Sequence, residues 1–169
     1  EAARVLSETG VDDTSLRSLS MDASELLLSS SDLPASAIEL MVQRGLDVNA
    51  TDGDGDTPLH LVTSSAAGRA LMAAGARGGV RNELGLTPSH FAAADGRLEL
   101  LKVLAPLDAG VLDYEFSSPL HHAAILGRLD CARFLVEEMR FDLHARAIDG
   151  LTPLDLAERH HHSDTAAYL

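Results

Sequence analysis

Three aspartates at alternate positions, Asp52, Asp54 and Asp56 in the stretch NATDGDGDTPLH, have the type and spacing that most suggest chemistry. Carboxylates so arranged can open an oxygen-ligand loop for calcium, which needs Gly at its sixth position and a bidentate Glu at its twelfth. Counted from Asp52, those positions hold Thr57 and Thr63. Pro58 then starts a helix where a metal loop would still be supplying oxygens. The segment is expected to be a turn, with Asp54 and Asp56 as exposed acids and no metal bound.

Other reactive side chains lead no further. Cys131 falls on the inward face of an amphipathic run and is expected to be a small core residue. His160, His161 and His162 are adjacent, so on a helix their side chains diverge, whereas a metal site needs converging ligands. No Gly-rich phosphate loop, His-Glu-x-x-His or nucleophile elbow occurs. No catalytic residue and no cofactor is expected.

Composition narrows the elements that must position these residues. The chain has 169 residues, 46% of them hydrophobic but only 4% aromatic, with no Trp. Small aliphatic side chains suit close helix-on-helix packing better than a β-sandwich. The 26 acidic and 13 basic residues leave a formal charge of −13, which repels nucleic-acid phosphates and anionic lipid and favours a basic partner surface. A single cysteine precludes a disulfide framework and fits a reducing, intracellular compartment, cytoplasmic or nuclear. No apolar run approaches the ~20 residues of a membrane span, and the first residues lack a secretory pattern. The absent initiating Met and the apolar end AAYL are expected to mark boundaries within a longer protein.

The chain repeats itself. DGDTPLHLV from Asp54, LGLTPSHFAAADGRLELLKVL from Leu84, EFSSPLHHAAILGRLDCARFLVE from Glu115 and DGLTPLDLAERHHHSDTAAYL from Asp149 align, and a degenerate copy begins at Met21. The prolines Pro58, Pro88, Pro119 and Pro153 lie 30, 31 and 34 residues apart. The copies are expected over 21–53, 54–83, 84–114, 115–148 and 149–169, with 1–20 as an N-terminal extension.

Each copy predicts helix, turn, helix, loop. Thr57, Thr87, Ser118 and Thr152 are N-caps, and each following Pro sits at N1, where a missing N–H costs nothing. Breaks at Ala67-Gly68, Asp95-Gly96 and Gly127 separate a short first helix from a second amphipathic one. Gly45 or Gly75 ends the second helix. Three residues after the caps stand His60, His90 and His121, then Asp155 in the last copy. A histidine recurring at N3 can reach back to the cap or across to the next loop. It is expected to tie one copy to the next, while Asp155 complements the positive helix start.

The pattern G-x-T-P-L-H, then A-A, then Gly, then an L-rich run closed by G-x-D-V-N-A, resembles the ankyrin repeat. It is carried by GDTPLH at Gly55–His60, GLTPSHFAAADGRLELLKVL at Gly85–Leu104 and GLDVNATD at Gly45–Asp52. The resemblance implies an all-α solenoid of about five stacked helix-turn-helix units, with loop fingers projecting from one edge. It also implies a monomeric, non-enzymatic scaffold or adaptor that binds a protein partner, with no role for nucleic acid or membrane. An alternative is a targeting or regulatory module of a larger enzyme whose catalytic domain lies outside this chain. Three departures stand out. The copy from Asp54 is three residues short between its helices, Phe116 replaces a Gly, and the loops over 105–116 and 139–146 are expected to be distorted. Asn49 matches a position that asparagine hydroxylases modify in some ankyrin proteins, and is expected to serve the loop turn.

In such arrays the finger tips and the concave face of the first helices carry specificity. Those positions here are Asp54, Asp56, Leu84, Leu86, Asp95, Tyr114, Glu115, Ile125, Leu126, Ile148 and Leu151, an acidic stretch passing into an apolar one. Apolar side chains held in water at several such positions suggest a docking surface. The alternative for each is that a loop folds it inward, Phe116 most of all.

Overall fold

A computed structural model describes residues 34–169, which form two compact units divided at Arg77 and Gly78. The start of the first copy, at Met21, and the extension over 1–20 lie outside the described residues. Among the described residues all regular structure is helical.

The first unit contains α1 (Ala35–Gln43), α2 (Pro58–Leu61) and α3 (Ser65–Ala73). Helix α1 buries Ala37, Ile38 and Met41, and α3 buries Ala67, Gly68 and Leu71. Their spacings of three and four residues put these side chains on one face of each helix, and the two helices pack together. The expected break at Ala67-Gly68 is a correction: both residues lie inside α3. The true break is Val62–Ser64, where Ser64 caps α3 by accepting the Ala67 N–H at 3.1 Å. The three missing residues therefore come out of α2, shortened to a single turn.

The second unit holds three successive helix pairs: α4 (Pro88–Asp95) with α5 (Leu98–Leu104), α6 (Pro119–Ile125) with α7 (Leu129–Glu137), and α8 (Pro153–Arg159) with α9 (Ser163–Tyr168). The first helices α4, α6 and α8 pack side by side in order, as do the second helices α5, α7 and α9. The core between the layers is built from alanine and leucine: Ala92, Ala93, Leu101, Leu104, Leu120, Ala123, Ala124, Ala132 and Leu135 are at most 1% exposed. Alanines on the first helices allow close approach, and leucines of the second fill the volume. Cys131 is buried, and burial pushes its thiol up to about 11, so the thiolate needed of a nucleophile is absent at neutral pH.

Gly96 (φ 76°) and Gly127 (φ 64°) turn α4 into α5 and α6 into α7, as expected, and His161 (φ 61°) takes that place in the last copy. Gly45 (φ 93°) and Gly75 (φ 97°) likewise close α1 and α3. At the equivalent place after α7 stands Arg140, also left-handed at φ 60°. The loop RFDLHA therefore follows the course of GLDVNA: Asp142 Oδ1 accepts the His144 N–H at 2.8 Å, as Asp47 Oδ1 accepts the Asn49 N–H at 2.9 Å. The distortion expected over 139–146 is present at the helix end, where one extra residue is taken up: Phe141 N–H bonds Leu135 O, six residues back, where Leu46 N–H bonds Met41 O, five back, while the Asp turn that follows keeps its course. The other expected distortion is present, because Ala105–Leu107 adds a 3₁₀ turn that carries Asp108 into the interior. Asn49 reaches beyond its own turn: its side chain donates to Gly75 O at 3.1 Å and accepts from Arg77 N at 2.9 Å.

Candidate functional site

The four finger turns share one construction. Backbone bonds close each: Asp52 N–H to Asp56 O, Asn82 N–H to Leu86 O, Asp113 N–H to Ser117 O and Ala147 N–H to Leu151 O, at 2.9–3.1 Å. The fourth residue of each turn is left-handed, namely Gly55, Gly85, Phe116 and Gly150. Where the turn opens on Asp or Asn, its side-chain oxygen also accepts two N–H groups of the turn. Asp52 Oδ1 takes those of Asp54 and Asp56 (3.0 and 2.8 Å) and Asn82 Oδ1 those of Leu84 and Leu86 (3.0 and 2.9 Å). Asp113 Oδ1 takes those of Glu115 and Ser117 (2.9 and 2.8 Å). Asp52 thus serves the turn that its alternating carboxylates had suggested for calcium. Among the described residues no group of three or more His, Cys, Asp or Glu is arranged to hold a metal.

Neighbouring fingers of the second unit are tied together through backbone. Tyr114 N–H donates to Leu84 O at 3.2 Å, and Ile148 N–H donates to Glu115 O at 2.7 Å. The approach is close enough that a Cβ on Gly85 would meet Tyr114 N at 2.7 Å, so this turn requires glycine both for contact and for its φ of 79°. Large apolar side chains then stand in water along the tips: Leu84 is 67% exposed, Tyr114 59%, Phe116 57% and Ile148 66%. Arg81 lies over the Tyr114 ring, 5.8 Å from its centroid. Phe116, for which inward folding was the alternative, holds the left-handed position and its side chain joins this exposed ridge.

The remaining candidates divide. Asp54, Asp95 and Glu115 are exposed acids, Asp95 paired with Arg97 at 2.7 Å, and Leu126 is exposed at the end of α6. Asp56 is a correction: at 8% exposure it is buried where its turn meets the helix start, and cannot present an acid to a partner. Ile125 and Leu151 are only partly exposed, because both pack against the cluster of Ala124, Leu156 and Ala157. Leu86 is half-buried beneath its finger.

Beneath the fingers lies a polar frame. At each of the first three caps a backbone N–H donates to the N3 histidine: Thr57 N to His60 Nδ1 at 3.0 Å, Thr87 N to His90 Nδ1 and Ser118 N to His121 Nδ1 at 3.1 Å. A nitrogen that accepts an N–H carries no proton, so each of these rings is neutral with its hydrogen on Nε2. In the second unit that hydrogen is donated to the next loop, from His90 to Ser117 O and from His121 to Ala145 O, both at 3.2 Å. These are the links between copies that the recurring histidine implied. Burial, and then the neighbouring His122, hold His90 down at about 4; burial likewise lowers His121. In the last copy Asp155 closes the box, accepting from Thr152 N and Thr152 Oγ1 at 2.8 Å, and these bonds lower its carboxyl.

Two members of the frame escaped sequence reading. Asp108, 4% exposed, accepts from the hydroxyls of Thr87 and Ser89 (the latter at 2.7 Å) at the start of α4. Burial raises its carboxyl despite those bonds. His122 Nε2 lies 2.9 Å from Asp113 Oδ2, tying the third finger to α6, and its ring meets His90 edge-on at 5.3 Å. The doublet His121-His122, found in one copy alone, was the available signal for the second; Asp108 left none.

The comparisons agree with this construction. Residues 107–169 match the family model for ankyrin repeats in three copies. The Neurogenic locus Notch protein of Drosophila melanogaster is 29% identical over 140 residues, 82% of this chain. The chain spans 4% of that relative's length. Residues 107–169 therefore carry ankyrin repeats. Ankyrin repeats are in general protein–protein interaction modules. Among the described residues no helix is long and apolar enough to cross a membrane.

Proposed function

We infer that this chain is a non-enzymatic scaffold or adaptor that holds a protein partner against its second unit's finger tips and the exposed ends of the first helices. One observation carries the reading: Leu84, Tyr114, Phe116 and Ile148 are all more than half exposed on fingers already bonded to one another. A preformed ridge loses little conformational freedom on binding, so its apolar area goes largely into affinity. Asp54, Glu115 and the overall charge of −13 favour a partner with a basic rim, by raising the rate of encounter. The protein acts as a monomeric array in an intracellular compartment, without a cofactor.

The test is affinity capture from the native host with the unaltered chain and with Leu84→Ser, Tyr114→Ser and Ile148→Ser combined. Loss of the captured partner with the fold retained is expected; an unchanged capture sinks the reading. A second reading is a targeting or regulatory module of a larger enzyme. It predicts a catalytic domain in the same open reading frame.

A further inference from the structure

A cavity of about 240 Å³ opens where the loop carrying Gly110 and Leu112 meets the loop after α7. Leu112, Met139 and Phe141 give it an apolar lining, Arg140 and Asp142 a charged rim, and none of the exposed finger-tip residues contributes to it. A void of about 150 Å³ accommodates a benzene ring, so this one has room for a large apolar side chain and little more.

Arg140 makes the cavity more than a gap. It stands left-handed (φ 60°) where the equivalent loops have Gly45 and Gly75. A long cationic side chain is thus held at a position whose backbone favours glycine. Among the described residues no carboxylate pairs with its guanidinium. Asp142 has Oδ1 committed to the His144 N–H at 2.8 Å, and Oδ2 has no partner among the described residues. An unpaired planar donor, a carboxylate oxygen with a vacant acceptor site and an apolar floor make a complementary set.

We propose that this cavity is a second binding site, which takes a peptide segment bearing a large apolar side chain next to an Asp or Glu. The side chain enters between Leu112, Met139 and Phe141. The neighbouring carboxylate pairs with Arg140 through two N–H donors, and a backbone N–H of the segment donates to Asp142 Oδ2. The site differs from the finger ridge in chemistry as well as in place, because it selects an acidic segment where the ridge favours a basic one.

The test is an NMR titration of the full chain with acetyl-Glu-Phe-Ala-amide and with its Gln counterpart. The Glu peptide is expected to shift the amides of Leu112, Met139 and Phe141, with the Gln peptide about tenfold weaker. Arg140→Gly should abolish that difference while leaving the unfolding temperature unchanged or higher, since glycine suits the backbone. Ala109→Trp, at the cavity's wall, should weaken both peptides without erasing the preference for Glu. No shift at these amides, shifts confined to the finger tips, or a preference that survives Arg140→Gly would overturn the proposal.

Discussion

The finger tips and the helix starts lie a few residues apart in every copy yet follow opposite rules. At the starts of α4 and α6 the polar groups are buried and paired: His90 and His121, both at most 1% exposed, use one ring nitrogen on their own cap and the other on the following loop. At the finger tips of the second unit, Leu84, Tyr114, Phe116 and Ile148 are all more than half exposed. The contrast separates residues that make the fold from residues left over for a partner. It predicts that the first set, when altered, costs stability and the second costs binding.

The largest loss is expected at the histidines. His90→Ala strands the Thr87 N–H and the Ser117 carbonyl in the interior, and should lower stability by about 3 kcal/mol in chemical denaturation. Equal stability would break the distinction between frame and tips. The same ring sets a pH dependence. Its value is near 4 in the fold against the ordinary 6.5, so its contribution is complete above pH 6.5. As pH falls from 6.5 to 4 the unfolded chain takes up the proton first, and a stability on the order of 3 kcal/mol is lost. His90→Gln should flatten the profile across that window relative to the unaltered chain.

Gly85→Ala comes next, at roughly 1–3 kcal/mol, since the added methyl group meets the Tyr114 backbone at a left-handed position. Its loss should appear as faster amide exchange at Leu84 and Tyr114 ahead of global unfolding. Asp108→Asn probes a smaller term of the opposite sign in pH. Burial raises this carboxyl, so it penalises the fold increasingly as pH rises from the unfolded value through the folded one. The substitution should remove that penalty above the window while keeping an acceptor for Ser89.

Much of the frame was legible because it is local. The Thr-Pro dipeptide fixes cap and first turn within three residues, and a histidine at N3 has few places to reach. Asp108 was invisible because its partners lie 19 and 21 residues upstream and a 3₁₀ turn brings it there. The break misplaced at Ala67-Gly68 had the same origin: a buried glycine inside α3 gives the same sequence signal as a glycine in a turn. The tips were half legible. Leu84, Tyr114 and Ile148 are exposed as expected, but Leu151 and Ile125 share their apolar character and pack inward. The choice for Phe116 between exposure and inward folding was not legible, because hydrophobicity says nothing of a left-handed turn that leaves its side chain exposed.

The smallest structural effect carries the greatest functional weight. Leu84→Ser, Tyr114→Ser and Ile148→Ser together should shift stability by no more than about 1 kcal/mol, as suits exposed positions. Measured side by side with capture of the native partner, this variant tests the division between frame and tips most directly. Binding lost at unchanged stability is the predicted result; stability lost in step with binding, or binding kept, would contradict it.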